Sequence, residues 1–189
     1  SRHPLRLPPR WLYDDRGSEL FDQITRLAEY YPTEAERSLL DREADSIAAL
    51  TGADTLIELG SGTSDKTHTL IRALRSTDQL RTFVPFDVSE QTLRDVAASL
   101  IEQYPGMDVH GIVGDFTLHM SHLPTGGTPL VAFLGSTIGN LYTEERHAFL
   151  SMLADHLHAG AFLLVGVDLI KPIERLVRAL IGVALFSGA

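Results

Sequence analysis

The sequence predicts an α/β fold with a doubly wound, mostly parallel sheet, and three observations carry that expectation. From Thr55 onward, short apolar runs alternate with amphipathic helical stretches, the pattern of parallel strands joined by crossover helices. The first of these runs ends in Gly60-Ser61-Gly62, a turn suited to the strand-to-helix junctions where such sheets hold ligands. The chain has 189 residues, 44% of them hydrophobic, enough for one domain with a sizeable core.

Each element follows from its local pattern. The residues through Pro8-Pro9 are proline-rich and extended. Gly17–Leu27 is a short helix, with Leu20, Phe21, Ile24 and Leu27 at helical spacing. Thr33-x-x-Glu36 reads as a capping box that opens a second helix with Leu39, Leu40, Ile47 and Leu50 on one side. Thr55–Leu59 is a strand, and Ser64–Arg75 a helix carrying Leu70, Ile71 and Leu74. Arg81–Asp87 is a second strand, followed by a helix over Ser89–Gln103 with Leu93, Val96, Leu100 and Ile101 inward. Val109–Val113 and Leu130–Leu134 are further strands. Thr143–Leu157 is a helix stopped by Gly160, and Phe162–Val167 is the fifth strand.

Composition excludes several classes. The formal net charge is −9, with acids and bases interspersed, which argues against nucleic acid and anionic membrane as partners because both need a basic face. The apolar runs at Ala161–Val167 and Leu180–Phe186 are too short to span a bilayer. There are no cysteines, so disulfides and Cys-based metal sites are ruled out and a cytoplasmic setting is expected. His119-x-x-His122 has a spacing found in some metal sites, but no further ligands cluster in the sequence around it. It is read as a surface turn, and no metal is expected.

The chemistry is expected where strands end. Glycines at 60 and 62 allow a tight turn and close backbone approach to a ligand, and the next helix points free N–H groups there. An ordinary tight turn has the same pattern. The second strand ends on Asp87, a carboxylate suited to the two hydroxyls of a ribose or to the N-terminus of the next helix. The third offers Gly114-Asp115-Phe116, an acceptor for an adenine amino group beside a ring that packs on the base; a plain turn is the alternative. Taken in order, the three strand ends supply what an adenosyl ligand needs. A dinucleotide would want a third glycine where Asp65 stands. S-adenosylmethionine has no phosphate and tolerates that departure. Lys66 suits the methionine carboxylate of such a cofactor, or is a solvated helix lysine. Phe133–Asn140 is a loop rich in small residues, and its Asn140 offers both donor and acceptor or opens the following helix.

These stretches also carry a resemblance. Trp11-Leu12-Tyr13-Asp14, Gly17–Thr25, Glu29-Tyr30-Tyr31-Pro32-Thr33, Glu58–Ser64, Pro85-Phe86-Asp87-Val88, Gly114-Asp115-Phe116 and Phe133–Asn140 together resemble the histidine-specific N-alpha-methyltransferases of ergothioneine synthesis. That family is S-adenosylmethionine-dependent and has the Rossmann-like class I fold. The resemblance runs from Pro8 to Ala179, and the block from Gly17 to Thr33 does not belong to methyltransferases in general. It implies cofactor binding by Tyr13, Gly60, Lys66, Asp87, Asp115 and Phe116. It further implies that Tyr30 contacts the imidazole of an L-histidine substrate and Asn140 its carboxylate, with Gly135 and Thr137 lining the amine side. No residue is implied to act covalently or as a required acid or base.

The resemblance also has limits. The family follows Leu176-Val177-Arg178-Ala179 with a tyrosine, where Leu180 stands here, and it continues into a C-terminal region that recognises the imidazole. The expected organisation is therefore an N-terminal helical segment over residues 1–50 and a Rossmann-like core over 51–189 without its last strands or substrate region. An apolar, charge-free tail from Leu180 to Ala189 ends the sequence. An open sheet edge of that kind predicts a homodimer. Two other readings stay open: a non-catalytic cofactor-binding domain and a methyltransferase of another amine. A nicotinamide-dependent dehydrogenase is disfavoured by the glycine spacing.

Overall fold

In the computed structural model, the described residues are 15–27, 29–64, 66–177 and 179. Among these, the main helices and strands follow in order: α1 (Asp15–Thr25), α2 (Tyr31–Thr51), β1 (Thr55–Leu59), α3 (Thr67–Ser76), β2 (Thr82–Asp87), α4 (Glu90–Gln103), β3 (Asp108–Val109), β4 (Ile112–Val113), β5 (Pro129–Phe133), α5 (Thr143–His156) and β6 (Phe162–Val165). The strands form one parallel sheet in the order β3-β2-β1-β5-β6, with β4 also paired to β2. This is the doubly wound arrangement the sequence predicts. The chain winds outward from β1 in one direction, then returns past it to β5 and β6. The change of direction falls between β1 and β5, and an open α/β sheet holds its ligand beside such a reversal.

Alternation along each strand divides the core into two layers. Leu56, Phe83, Leu130 and Ala132 face Leu70, Ile71 and Leu74 of α3 and Val96 and Leu100 of α4. Ile57, Leu59, Val84, Phe86 and Phe133 face Phe149 and Leu153 of α5. β1 and β5 are buried along their whole length, as expected for central strands covered on both sides.

Several element boundaries differ from the sequence reading for identifiable reasons. α2 begins at Tyr31, with Tyr30 as N-cap and Pro32 in its first turn, because proline already has helical φ and needs no partner for its missing N–H. Thr33 is therefore not the cap, and Glu36 is free of the capping role assigned to it. The buried side of α2 is Leu40, Ala44, Ala48 and Thr51, whereas Leu39 is 51% and Leu50 77% exposed. Alanines let the helix lie close to its neighbours, and that outweighs the size of the two leucines. On α4, Leu93, Val96 and Leu100 are buried as expected, but Ile101 is exposed.

The strand expected over Val109–Val113 is broken into β3 and β4, and Pro85 explains the break. The carbonyls of Arg81, Phe83 and Asp87 accept from the N–H groups of Asp108, His110 and Gly114. Pro85 lies in the same alternating set and has no N–H to give that neighbour. Pairing therefore lapses between Val109 and Ile112. α3 starts three residues later than expected, since Ser64 takes a left-handed φ of 54° and the turn must finish first. β6 stops at Val165, and Gly166 N–H still reaches Phe133 O at 2.9 Å. Tyr13 and the tail from Leu180 lie outside the described residues.

Candidate functional site

A cleft of about 1810 Å³ opens along the C-terminal ends of the strands. Its rim is made by the loops after β1, β2, β4 and β5, and its outer wall by the start of α2 and the segment after β6. The sequence-selected residues Gly60, Lys66, Asp87, Asp115, Phe116, Tyr30, Gly135, Thr137 and Asn140 all line it. Residues separated by more than a hundred positions are thus brought to one surface by the parallel order of the strands.

The loop after β1 is held from below by Glu58. This carboxylate is 3% exposed and accepts hydrogen bonds from Ser64 Oγ at 3.0 Å and from Thr67 Oγ1. Burial pushes its carboxyl up from 4.5 to about 7, against the opposing pull of the Thr67 and Ser64 hydroxyls and the charge of Lys66. The pair of hydroxyls at the start of α3 therefore serves the loop rather than the solvent. Gly60 has φ +70°, and a Cβ there would meet the Phe116 ring at 3.8 Å, so glycine is demanded by conformation more than by space. Between the two glycines, Ser61 is buried and its Oγ has no hydrogen-bond partner among the described residues.

Asp87 ties two loops together. Its Oδ2 accepts from Gly62 N–H at 2.9 Å and its Oδ1 from Ser89 N–H at 3.1 Å. Ser89 in turn caps α4, its hydroxyl accepting from Thr92 N–H at 3.2 Å. Asp87 is thus not simply an acid of the next helix, as its position also allowed. Asp115 Oδ1 is oriented by Thr117, whose N–H and hydroxyl donate at 2.9 and 2.6 Å. Phe116 rests edge-on against Phe133 and Phe149, with centroids at 5.1 and 5.7 Å, which fixes its ring at the floor of the cleft. His119 Nδ1 accepts from Asp115 N–H at 3.0 Å, the turn role read from the sequence.

The loop after β5 turns through Gly135 and Ser136, both at positive φ, into a short 3-10 turn over Thr137–Asn140. Thr137 donates its hydroxyl to Leu134 O at 2.8 Å. Tyr30 packs edge-on against Phe21 with centroids 6.1 Å apart, so α1 and the start of α2 present it to the cleft together.

Two groups in the wall were not found by sequence reasoning. Glu36 Oε1 accepts from Gly135 N–H at 2.8 Å and its Oε2 pairs with Lys66 Nζ. Tyr31 donates its hydroxyl to Asp168 Oδ2 at 2.5 Å, while Lys171 Nζ and Arg175 Cζ lie 4.1 and 4.4 Å from its ring centroid. Partial burial of Asp168 works against its charge, but hydrogen bonds from Lys171 and Tyr31 outweigh it and hold the carboxyl below its ordinary range. The adjacent tyrosines at 30 and 31 are the available signal in the sequence.

Comparison with known proteins bears on what this cleft is for. A family model described as histidine-specific methyltransferase, SAM-dependent, matches residues 1–181. The histidine N-alpha-methyltransferase of Mycolicibacterium smegmatis is 53% identical over 176 residues, covering 93% of this chain and 55% of that enzyme. The chain therefore spans about half the length of this relative. Among solved structures, a DUF574 family protein of Streptomyces avermitilis superposes with a TM-score of 0.64 at 15% identity, over 92% of this chain and 70% of that one. A methyltransferase of Podospora anserina, solved with S-adenosylhomocysteine, gives 0.52 at 14% identity, over 90% and 76%. These two likenesses establish the Rossmann-like methyltransferase fold. The family match runs over nearly the whole sequence, and the chain belongs to the S-adenosylmethionine-dependent histidine-specific methyltransferases.

Proposed function

We propose that this chain binds S-adenosylmethionine in the strand-end cleft and transfers its methyl group to the α-amine of L-histidine. The observation that carries the reading is the convergence on one cleft of Gly60, Asp87, Asp115 with Phe116, and the loop from Gly135 to Asn140. The residues present suit the cofactor. Asp87 is an acceptor for ribose hydroxyls, Phe116 is a fixed apolar surface for a base, and the buried Ser61 hydroxyl has a hydrogen-bond capacity still to satisfy. Tyr13 and Lys66 complete the proposed cofactor set.

When bound, S-adenosylmethionine would supply a methyl on a sulfonium: the C–N bond to the unprotonated amine forms as the C–S bond breaks, S-adenosylhomocysteine leaves, and the resulting ammonium gives one proton to solvent. Such a displacement depends chiefly on alignment. The protein's task is to hold the amine in line, and Tyr30, toward the imidazole, and Asn140, toward the carboxylate, are the residues this reading gives to the substrate; both line the cleft. Gly135 and Thr137 leave the amine side open because neither projects a bulky group.

Calorimetric titration with S-adenosylhomocysteine, followed by L-histidine in the same cell, tests the reading. Binding of both, with turnover when the methylated cofactor is supplied, is the expected result. Histidine failing to bind, or another amine turning over in its place, would overturn the substrate assignment. Asn140→Ala is expected to leave S-adenosylhomocysteine affinity within about twofold and to weaken histidine by roughly tenfold or more, the worth of one hydrogen bond to a charged group. Equal losses of both ligands would mean that the Gly135–Asn140 loop serves the cofactor instead.

A second reading makes the domain a cofactor binder that acts only with a partner. It is favoured by β6, which pairs with β5 alone among the described strands, and by exposed Leu163, Val167, Leu169 and Ile170 beside it. A second copy joined along β6 is the assembly it implies, and sedimentation showing only monomer at micromolar concentration would dispose of it. Among the described residues no helix is long and apolar enough to cross a membrane, and the cysteine-free composition supports a cytoplasmic setting.

A further inference from the structure

Glu36 is the carboxylate whose position the reaction scheme leaves unexplained. It lies on α2, ninety-nine positions from Gly135, yet accepts its N–H with both oxygens at 2.8 and 3.0 Å. The same carboxylate pairs with Lys66 Nζ across thirty positions. Both side chains are largely withdrawn from solvent, 20% exposed for Lys66 and 14% for Glu36. Gly166, just after β6, leaves open the space that Glu36 Oε1 occupies: a Cβ there would press on that oxygen and lie 3.3 Å from Leu134 Cα. Three elements from different parts of the sequence therefore converge on one largely buried carboxylate beside one largely buried ammonium.

A lone ion pair in this setting gains little, because desolvating two charges offsets much of their attraction. An adjacent positive and negative charge at the edge of a ligand cleft is, however, complementary to the head group of an α-amino acid. That head group also carries opposite charges on neighbouring atoms. Lys66 matches its carboxylate, and Glu36 matches its ammonium. The two oxygens of Glu36 offer about four acceptor sites, of which the Gly135 and Lys66 contacts use three. An ammonium, with three donors, can take what remains.

We infer that Glu36 is a specificity-determining residue of the cofactor site, reading the ammonium of the methionine head group whose carboxylate Lys66 holds. This rests on the cofactor assignment proposed above. It places the selection for an amino-acid thioether on α2, outside the sheet and outside the glycine loop. Glu36 also links that head group to Gly135, so the loop that lines the acceptor side is steadied by the residue that senses the cofactor.

The test compares three ligands by calorimetry on the full chain and its Glu36→Gln variant: S-adenosylhomocysteine, its deaminated analogue that keeps the carboxylate, and 5′-methylthioadenosine, which lacks the head group. Glutamine keeps one acceptor oxygen for Gly135 N–H, removes the charge and turns the other oxygen into an NH2 that no longer accepts from Lys66, a change the deaminated analogue and 5′-methylthioadenosine feel as well. The expected result is a loss of about 10- to 100-fold for S-adenosylhomocysteine, larger than that of either other ligand, with Glu36→Asp recovering part of the loss. Equal losses for all three ligands would make Glu36 a strut and overturn the inference. Unchanged or tighter S-adenosylhomocysteine binding would overturn it too, tighter binding meaning that Glu36 competes for Lys66. A loss seen only in subsequent histidine binding would assign Glu36 to the other substrate. A wild-type chain that binds S-adenosylhomocysteine no better than the deaminated analogue would refute the ammonium role and leave the cofactor assignment standing. A wild-type chain that binds none of the three would remove the cofactor assignment itself.

Discussion

Replacing Asp87 by alanine is expected to lower affinity for S-adenosylhomocysteine by more than about 100-fold, measured by titration calorimetry on folded protein. Two losses combine. The proposed acceptor for the ribose hydroxyls disappears, and hydrogen bonds to a charged group are worth roughly 1.5–3 kcal/mol each. The backbone donors at Gly62 and Ser89, now bonded at 2.9 and 3.1 Å, also lose their partner, which frees the glycine loop from β2. Asp87→Asn separates the two effects in part. An amide still offers one acceptor, but its NH2 must face one of the two N–H donors, so an intermediate loss is expected. Affinity unchanged in the alanine variant would remove Asp87 from the site and leave it as a loop tie only.

Glu58→Gln is expected to make stability less dependent on pH. The wild-type carboxyl is raised from 4.5 to about 7 in the folded protein, chiefly by burial. A raised carboxyl favours the protonated form in the folded state, so its contribution is complete below about pH 4.5 and is lost as pH rises through about 7. A rise of this size corresponds to about 3 kcal/mol. Glutamine keeps a hydrogen-bond acceptor for one of the Ser64 and Thr67 hydroxyls and has no charge to bury. Relative to wild type, the variant should therefore gain stability between pH 5 and pH 8. The expected change in the difference of thermal midpoints is on the order of 6–12 °C for a domain of this size. A difference that stays constant across that range would show that Glu58 does not titrate there. The hydroxyl cage also explains why the carboxylate is tolerated under the loop at all, since each donor offsets part of the desolvation.

The strand ends were legible in the sequence because their chemistry is local. Gly60, Asp87, Asp115 and Phe116 each follow a short apolar run, and parallel strands must present such positions on one edge. Helix interiors were legible for the same reason: Leu70, Ile71 and Leu74 fall on one face by periodicity alone, and all three are fully buried. Boundaries were less so. The start of α2 was misplaced because a capping-box pattern at Thr33 and Glu36 competed with Pro32, and only the packed chain reveals that Glu36 is engaged elsewhere. The break between β3 and β4 turns on which neighbour Pro85 faces, a property of strand order that no local pattern contains.

By itself the sequence determined the alternation of strands and helices, the glycine turn after the first strand, and the family to which these motifs belong. Those features depend on the order of residue types over a few positions, where backbone sterics and hydrophobic periodicity act. Only the tertiary structure decided that α2 lies against the cleft, that Glu36 meets both Lys66 and Gly135, and that Gly166 makes room for it. The physical reason is that these contacts join residues from thirty to 130 positions apart. Their proximity is set by the winding of the parallel sheet and the close approach of a helix lined with alanine, and neither is encoded in the spacing of the residues that finally touch.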